Sequence, residues 1–483
     1  MAEDDFEEME IMKILFINPP WFEGSTFDKL ISSNPPLGLA YIAAYLEKNG
    51  YKNIEILDMK VLGLTFNEIE SKIRKTKPDI VGITAATGQI SSTSKIISII
   101  KKIKPNTVTV IGGPHPSALP KRTLREVNAD VCVIGEGEVT FLELVKIIEK
   151  NVDLKNVDGI CFRNGNDKII INKRRELIEI LDELPFPARH LIPPLEEYRH
   201  SSSFGENKLH TSVMTSRGCP FRCKFCDKSI FGRTFRTRSV KNVVDEIEFL
   251  VKKYGVEEIR VFDDLFTVNE RRVKEICNEI IKRELNFSWC CEARVNSVTP
   301  EMLKLMKKAG CTQIDYGIES GSQEILDLLN KDTNLDEIRN AVKWTKEVGI
   351  KIKGYFLLGL PGETKKLIEK TIEFAKSLDI DYAAFFFYSP YPGTPLYNSL
   401  NKYGKIIALK WDEYVTFETP AFLPKGISKE KLVFLYKKAF YEFYFRPKYM
   451  IKIVKEIKTF AALISYIKAA FWAFSYNFER LRK

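Results

Sequence analysis

Residues 13–150 alternate short apolar runs with amphipathic segments, and this alternation restricts the fold more than any other feature of the sequence. Five runs have the length and the β-branched content of buried parallel strands: KILFINPP, NIEILDM, DIVGITAA, TVTVIGG and DVCVIGEGE. The segments between them place apolar residues at helical spacing. We therefore predict five βα units, which build a doubly wound α/β domain with a parallel sheet over residues 12–150.

A second alternating region, residues 206–400, carries six further apolar runs: LHTSVMTS, EIRVFDD, FSWCCEAR, QIDYGIE, KIKGYFLLG and YAAFFFYSP. Six βα units predict a partial (β/α)6 barrel of the TIM type, with its active site at the carboxyl ends of the strands. Residues 151–205 are predicted to form a hairpin and a proline-rich linker between the two regions. Residues 1–11 are predicted to be an acidic disordered tail, and residues 401–483 a helical, basic and aromatic C-terminal region.

The composition is that of an ordinary globular protein, with 45% hydrophobic and 29% charged residues. The net charge of +10 is partly local, because nine Lys or Arg residues and two Glu residues lie from Arg446 onward. There is no arginine-rich run or zinc-finger spacing, so we expect no nucleic-acid partner. The first ten residues are acidic, which predicts no signal peptide and a cytoplasmic protein with reduced thiols.

Residues 460–478, FAALISYIKAAFWAFSYNF, contain a single charge, Lys468. A membrane-spanning helix needs about 20 apolar residues, so this segment is marginal for a span. Two other interpretations stay open: a helix packed on the barrel, and a helix that lies on an anionic membrane surface. The second would give a peripheral association with the membrane through residues 446–483.

Three of the nine cysteines have the spacing CxxxCxxC in RGCPFRCKFCDK: Cys219, Cys223 and Cys226. They follow the first strand of the predicted barrel and therefore fall on a loop at its carboxyl end. Thiolates at this spacing can ligate one iron–sulfur cluster, and three ligands on a four-iron cluster leave one iron free for an exogenous ligand. The other six cysteines show no paired ligand spacing, so we predict no auxiliary cluster.

Phe225 precedes the third cysteine, so the motif is CxxxCxΦC, and residues 206–400 resemble the radical S-adenosylmethionine enzymes. The resemblance implies a [4Fe-4S] cluster on Cys219, Cys223 and Cys226, whose free iron binds the amino and carboxyl groups of S-adenosylmethionine. It also implies one-electron cleavage of S-adenosylmethionine to methionine and a 5′-deoxyadenosyl radical. The electron donor would be a reductase, a flavodoxin or a ferredoxin.

The same resemblance assigns roles to residues at the ends of the barrel strands. Phe225 would lie near the adenine, and Arg294 would meet the methionine carboxylate. Asp263 and Asp264 stand where the family carries Gly-Gly-Glu, so a carboxylate there would bind the methionine ammonium.

Two later segments complete the implied site. Glu319 and Ser320 in YGIESGS match the polar pair near the ribose, and Gly359 in GYFLLGLPGET matches the element that supports adenine through backbone groups. S-adenosylmethionine presents a cation, a carboxylate, ribose hydroxyls and an aromatic base, so its site needs an anion, a cation, a polar pair and an apolar slot. The successive strand ends offer one of each.

The N-terminal region, with its GGPHPSALP and IGEGE segments, resembles the cobalamin-binding domain of the cobalamin-dependent radical enzymes. That subfamily includes anaerobic magnesium-protoporphyrin oxidative cyclases and methyltransferases acting on unactivated carbon. The resemblance implies a cobalamin site at the carboxyl edge of the sheet, on Thr84, Gly88, Gly112, Gly113, His115, Gly135 and Glu136. The chain lacks the Asp-x-His-x-x-Gly motif that puts a histidine on cobalt, so we expect base-off cobalamin without a protein histidine. His115 either touches cobalamin or caps a backbone carbonyl.

Together the resemblances imply hydrogen abstraction from an unactivated C–H bond of a small molecule, followed by methyl transfer from methylcobalamin. The alternative is an oxidative or cyclising reaction on a porphyrin- or lipid-like substrate. The aromatic run AAFFFYSPYPGTPLY favours a large hydrophobic substrate. A transfer-RNA methylthiotransferase would need a second cluster and an RNA-binding barrel, which the sequence does not offer. A non-catalytic cobalamin or metal sensor would have no use for an open-site cluster.

Overall fold

The computed structural model describes residues 12–21, 33–165, 168–198, 208–417, 419–447 and 449–451. These residues fall into two compact units. The N-terminal unit takes its residues from 12–21, 36–178 and 183–197. The barrel unit takes its residues from 33–35, 179–182 and 198–451.

The N-terminal unit contains one seven-stranded sheet. Its strands are β1 (Ile14–Asn18), β2 (Ile54–Asp58), β3 (Ile80–Thr84), β4 (Val108–Gly112), β5 (Val131–Val133), β6 (Ile160–Arg163) and β7 (Ile169–Ile171). Their order in the sheet is β2-β1-β3-β4-β5-β6-β7. The first five strands are parallel, which confirms the doubly wound prediction. The predicted hairpin, β6 and β7, pairs antiparallel with β5 and so extends the same sheet.

Helices connect these strands: α1 (Leu37–Lys48), α2 (Met59–Leu62), α3 (Phe66–Thr76), α4 (Ile90–Ile103), α5 (Pro114–Ala118), α6 (Pro120–Val127) and α7 (Glu138–Glu149). Helix α3 shows why the sequence forms a helix at this point. Thr65 and Glu68 form a capping box that satisfies free N–H groups at its first turn. Ile69 and Ile73, four residues apart, are fully buried on one face.

The barrel unit contains ten strands within the described ranges: β8 (His210–Val213), β9 (Ser216–Arg217), β10 (Arg236–Thr237), β11 (Glu258–Val261), β12 (Ser288–Ala293), β13 (Cys311–Glu319), β14 (Lys351–Leu358), β15 (Tyr382–Phe387), β16 (Gly404–Ile406) and β17 (Phe422–Pro424). Six of them form one sheet in the order β15-β14-β13-β12-β11-β8, and every neighbouring pair is parallel. Among the strands that the structure describes, β8 and β15 each have a single neighbour. The prediction of a partial six-stranded barrel is therefore confirmed.

Its helices are α8 (Val240–Tyr254), α9 (Glu270–Lys282), α10 (Pro300–Lys308), α11 (Gln323–Leu328), α12 (Leu335–Glu347), α13 (Lys365–Ser377) and α14 (Lys429–Tyr444). The aromatic helix α14 packs on β15, where the ring of Phe443 lies 6.3 Å from that of Phe385 and is fully buried. Before it, β16 and β17 pair antiparallel, which the sequence does not predict.

The two faces of the barrel strands differ in burial. In β14 the outward residues Ile352 and Phe356 are fully buried, whereas the inward residues Lys353 and Tyr355 keep part of their surface accessible. Parallel strands that are covered on both faces would be buried throughout. The interior of this partial barrel is therefore an open recess rather than a packed core.

The apolar stretch 460–478, with its interpretations as a packed, interfacial or spanning helix, lies outside the described residues. Within the described ranges, no helix combines the length and the apolar character needed to cross a bilayer.

Candidate functional site

The three clustered cysteines lie on a loop between β9 and β10. These two strands pair antiparallel, Arg217 with Arg236 and Ser216 with Thr237, and so close the base of the loop. Gly218 leaves the ladder with φ of +84°, and a Cβ there would lie 2.2 Å from the Thr234 carbonyl oxygen. Only glycine fits this turn, which directs the chain into the first cysteine.

Two consecutive aspartates at the end of β11 hold the strand that leads into this loop. The carboxylate of Asp263 is buried and accepts hydrogen bonds from the Thr215 N–H at 2.6 Å, the Thr215 hydroxyl at 2.5 Å and the Ser216 hydroxyl at 2.6 Å. Asp264 accepts one bond, from the Gly218 N–H at 2.9 Å, and its side chain is exposed. The surrounding protein still raises the pKa of Asp264 by desolvation, although Lys228 opposes the rise. The Asp264 carboxylate is therefore accessible to solvent but surrounded by protein, as expected for a side chain that lies in a recess.

The far side of the loop is fixed by backbone hydrogen bonds. The Lys224 N–H donates to the Leu329 carbonyl at 2.8 Å, and the Lys224 carbonyl accepts from the Leu396 N–H at 3.1 Å. Between them, Phe225 packs against an apolar cluster that includes Leu329 and Leu396. The aromatic position of the motif thus attaches the cysteine loop to the barrel core.

Arg294, at the end of β12, lies beside the second cysteine. Its Nη1 donates to the Cys223 Sγ at 3.0 Å, and its Nη2 donates to the Lys331 and Asp332 carbonyls, the latter at 3.1 Å. The guanidinium also lies 3.8 Å from the centre of the Phe221 ring. A fixed cation therefore lies in direct contact with the sulfur of the second cysteine.

Lys228 places a second cation beside the other sulfur atoms. Burial lowers the pKa of its ammonium, but the Cys226 and Cys219 sulfurs and the Asp264 carboxylate raise it more, so the net shift is upward. Burial raises the pKa of the Cys226 thiol, and Lys228 opposes that rise. Lys228 was not predicted as a site residue, although a lysine two residues after the last cysteine is a visible signal in the sequence.

Lys331 links three of the predicted site residues. Its ammonium donates to Glu319 at 2.8 Å and lies 5.5 Å from the centre of the Phe225 ring, and its carbonyl accepts from Arg294. Glu319 has φ of +67°, a strained value for a residue with a side chain, and the buried ion pair with Lys331 holds it there. No sequence signal marks Lys331, because it follows an ordinary helix end.

Two predicted residues are turned toward helix α13 and the segment before it. The Ser320 hydroxyl lies 3.1 Å from the Thr371 hydroxyl and accepts from the Ser322 N–H. The Gly359 N–H donates to Glu363 at 2.8 Å. The ribose contact of Ser320 and the adenine contact of Gly359 stay predictions.

The donor set fits an open-site iron–sulfur cluster. Three free thiols share one loop, and two cations lie beside their sulfur atoms. Within the described ranges, no three His, Cys, Asp or Glu side chains converge as a single metal ion would require. A four-iron cluster has a different requirement, because each thiolate binds a separate iron corner.

The carboxyl edge of the N-terminal sheet brings together the loops after β3 and β4. The Ala85 N–H donates to the Gly112 carbonyl at 2.8 Å, and the His115 N–H donates to the Ala85 carbonyl. Gly113 has φ of +106°, and a Cβ there would lie 3.1 Å from the Thr84 hydroxyl. This close approach of two loops explains the glycine at residue 113.

The remaining residues predicted for cobalamin lie around the same edge. The Gly135 N–H donates to Ser117 at 3.0 Å, Glu136 accepts from the Ile178 N–H at 2.9 Å, and Gly88 lies against the Trp21 ring. The His115 ring is buried, with Nδ1 3.2 Å from the Thr87 hydroxyl, and burial lowers its pKa to about 4. An edge of glycine, threonine and backbone groups fits a flat macrocycle. Base-off cobalamin without a protein histidine stays a prediction.

Comparison with known families agrees with this two-part architecture. The profile of the Radical SAM superfamily matches residues 213–375, and that of the B12 binding domain matches residues 28–145. The chain is 38% identical to an uncharacterized methyltransferase of Pyrococcus horikoshii, over 93% of this chain and 96% of the relative. It is 31% identical to the anaerobic magnesium-protoporphyrin IX monomethyl ester cyclase of Rubrivivax gelatinosus, over 92% of this chain and 82% of the relative.

The same fold occurs in a solved structure. The radical S-adenosylmethionine methyltransferase TsrM from Kitasatospora setae, determined with cobalamin and a [4Fe-4S] cluster, has a TM-score of 0.66 at 19% identity. The alignment covers 83% of this chain and 84% of TsrM. At this identity the likeness describes the fold.

Proposed function

Because the chain belongs to the cobalamin-dependent radical S-adenosylmethionine enzymes, we propose that it transfers a methyl group to an unactivated carbon of a small molecule. One observation carries the proposal: three thiols on one loop at the mouth of an open barrel recess, with Arg294 and Lys228 beside them. When bound, the cluster with S-adenosylmethionine supplies a carbon radical, and cobalamin supplies the methyl group.

The two aspartates at the end of β11 take different roles in this proposal. Asp263 accepts three hydrogen bonds and is buried, so it positions the cysteine loop. Asp264 uses one oxygen for Gly218 and keeps its exposed side chain in the recess, so Asp264 binds the methionine ammonium. The raised pKa of Asp264 falls once a cation lies beside it.

Arg294 and Lys331 organise the opposite side. Arg294 is buried and already fixed by the Lys331 and Asp332 carbonyls, so little side-chain entropy is lost when it binds the methionine carboxylate. Lys331 holds Glu319 toward the ribose and lies next to Phe225, which forms the apolar wall for adenine.

The proposal is tested by product analysis. Anaerobically reconstituted protein is incubated with S-adenosylmethionine, cobalamin, reductant and candidate methyl acceptors, and both adenosyl products and any methylated product are quantified with time. Methyl transfer predicts that S-adenosylhomocysteine and 5′-deoxyadenosine form together. A protein that forms neither product, or a Cys219→Ala variant that forms both at the wild-type rate, would contradict the proposal.

A ring-forming or oxidative reaction is the second candidate. The relation to the Rubrivivax cyclase and the partly accessible aromatic residues that face the recess, Tyr355, Tyr382 and Phe386, favour a large apolar substrate. In that case 5′-deoxyadenosine forms without S-adenosylhomocysteine. Either reaction takes its electron from a reductase, a flavodoxin or a ferredoxin.

A further inference from the structure

Beneath the cysteine loop, the barrel interior carries a layer of charged side chains that the proposed binding of S-adenosylmethionine does not use. The strand register places Glu292 beside Asp315, Asp315 beside Lys353, and Lys353 beside Tyr382. These residues share one face of four adjacent strands, because each strand alternates its side chains between the two faces. They are therefore neighbours across the recess.

The centre of this layer is already satisfied. Asp315 is buried, and it accepts from Gln313 at 2.7 Å, from Arg260 at 2.9 Å and from the Tyr355 hydroxyl at 2.9 Å. The buried Arg260 thus has its main counter-charge in Asp315. These groups form a closed network that needs no further partner.

The two ends of the layer are different. Glu292 receives one hydrogen bond, from Arg260 at 3.1 Å, and its side chain is 46% exposed although it faces the barrel interior. Lys353 has an ammonium 5.1 Å from the centre of the Tyr355 ring and forms no ion pair with any described residue. The anion Glu292 thus faces the recess from β12, and the cation Lys353 faces it from β14. The two strands lie on either side of β13, so their backbones are about 10 Å apart.

The position of this layer suits a substrate. Glu292 precedes Arg294 by two residues, so it lies about 7 Å along the strand from the residue that contacts Cys223. A substrate that is bound by Glu292 and Lys353 can therefore extend along the strands toward the cysteine loop. The partly accessible Tyr382 and Phe386 lie on β15 between the level of Lys353 and the carboxyl end of the strand.

We propose that Glu292 and Lys353 bind the zwitterionic end of an amino-acid-like substrate, with its ammonium at Glu292 and its carboxylate at Lys353. A ligand that carries both charges gives Lys353 a counter-ion and gives Glu292, which shares Arg260 with Asp315, a second cation. A purely cationic ligand leaves Lys353 without an ion pair, and a purely anionic ligand brings a further negative charge near Glu292. The rings of Tyr355 and Tyr382, which both lie beside Lys353, accommodate the alkyl part. This inference rests on the proposed function only in placing the substrate inside the barrel.

The test measures binding of three matched probes to the anaerobic holoenzyme by saturation-transfer NMR: L-norvaline, pentanoate and butylamine. L-Norvaline has both charges, and each of the other two lacks one. We expect L-norvaline to bind, and Glu292→Gln and Lys353→Met each to weaken its binding about tenfold, as the loss of a charge-assisted hydrogen bond does. The exposed pair Glu301→Gln and Lys304→Met provides matched controls on α10, which we expect to bind as the wild type does.

Three outcomes would overturn the inference: no binding of L-norvaline by the wild type, equal binding of pentanoate or butylamine, or unchanged binding in Glu292→Gln.

A second assay separates a failure of this inference from a failure of the proposed function. Each variant is also assayed for 5′-deoxyadenosine formed from S-adenosylmethionine and dithionite without substrate. The controls Glu301→Gln and Lys304→Met should retain this activity, since both residues are exposed on α10. A wild type that lacks this activity contradicts the proposed function and leaves the binding result to decide the inference.

Discussion

Gly218 is the residue on which the geometry of the cysteine loop depends most directly. Its φ is +84°, and a Cβ would lie 2.2 Å from a backbone oxygen that cannot move without disturbing the β9–β10 ladder. We expect Gly218→Ala to reduce bound iron and to lower 5′-deoxyadenosine formation at least tenfold. The reason is that the backbone strain at positive φ and the contact of the new Cβ with the Thr234 carbonyl oxygen destabilise the cysteine loop by about 1–3 kcal/mol. Gly255→Ala is the matched control, since Gly255 has φ of +69° and open space around it. Equal iron content in both variants would contradict this assignment.

Glu363 gives the barrel a pH-dependent stability. Glu363 is fully buried, and its carboxylate accepts hydrogen bonds from the Gly359 and Leu360 N–H groups. Burial raises its pKa from 4.5 to about 8. The folded state therefore binds this proton more tightly than the unfolded state, so the free energy of unfolding decreases as the pH rises from about 4.5 to about 8. We expect Glu363→Gln, which keeps an acceptor oxygen and cannot ionise, to flatten this decrease.

Anaerobic urea unfolding, followed by circular dichroism at pH 5.5, 6.5 and 7.5, measures the effect. The exposed Glu301→Gln serves as the control and should keep the wild-type pH dependence. Parallel curves for wild type and Glu363→Gln would show that Glu363 does not carry the proton.

At the scale of elements, the aromatic helix α14 stabilises the barrel edge. Phe443 is fully buried, and its ring lies 6.3 Å from Phe385, 4.9 Å from Tyr444 and 5.4 Å from Tyr449. We expect Phe443→Ala to reduce the free energy of unfolding by about 3–5 kcal/mol, because it leaves a large cavity. Phe434→Ala on the same helix should change it by about 0.5 kcal/mol or less, since that side chain is 56% exposed. Equal losses would mean that α14 does not pack as described.

The elements also show what a sequence can predict. The eleven strands with apolar runs were predictable, because each packs at least one face against a helical layer and that burial selects apolar residues. The pairing of β16 with β17 was not, since residues 407–421 separate the two strands and no short turn joins them. The cysteine loop was predictable from spacing, whereas Lys331 was not, because its role depends on Arg294, Glu319 and Phe225 meeting from three different segments.

At the scale of the whole molecule, one chain combines a doubly wound domain with an open six-stranded barrel. The first offers an edge of small residues suited to a macrocycle, and the second offers three thiols above a recess with charged groups in its interior. Family membership accounts for both parts, whereas the residues that face the recess distinguish this chain's substrate. The radical-forming step is therefore expected to depend on the common machinery, and substrate specificity is expected to lie in the barrel interior.

The central claim is that Cys219, Cys223 and Cys226 hold a [4Fe-4S] cluster with one iron open to S-adenosylmethionine. The direct test is electron paramagnetic resonance of anaerobically reconstituted, dithionite-reduced protein, recorded with and without S-adenosylmethionine. The account predicts a [4Fe-4S]⁺ signal that changes on addition of S-adenosylmethionine and is lost when all three cysteines are replaced by alanine. A wild type without the signal, a signal that S-adenosylmethionine leaves unchanged, or a triple variant that retains it would contradict the account.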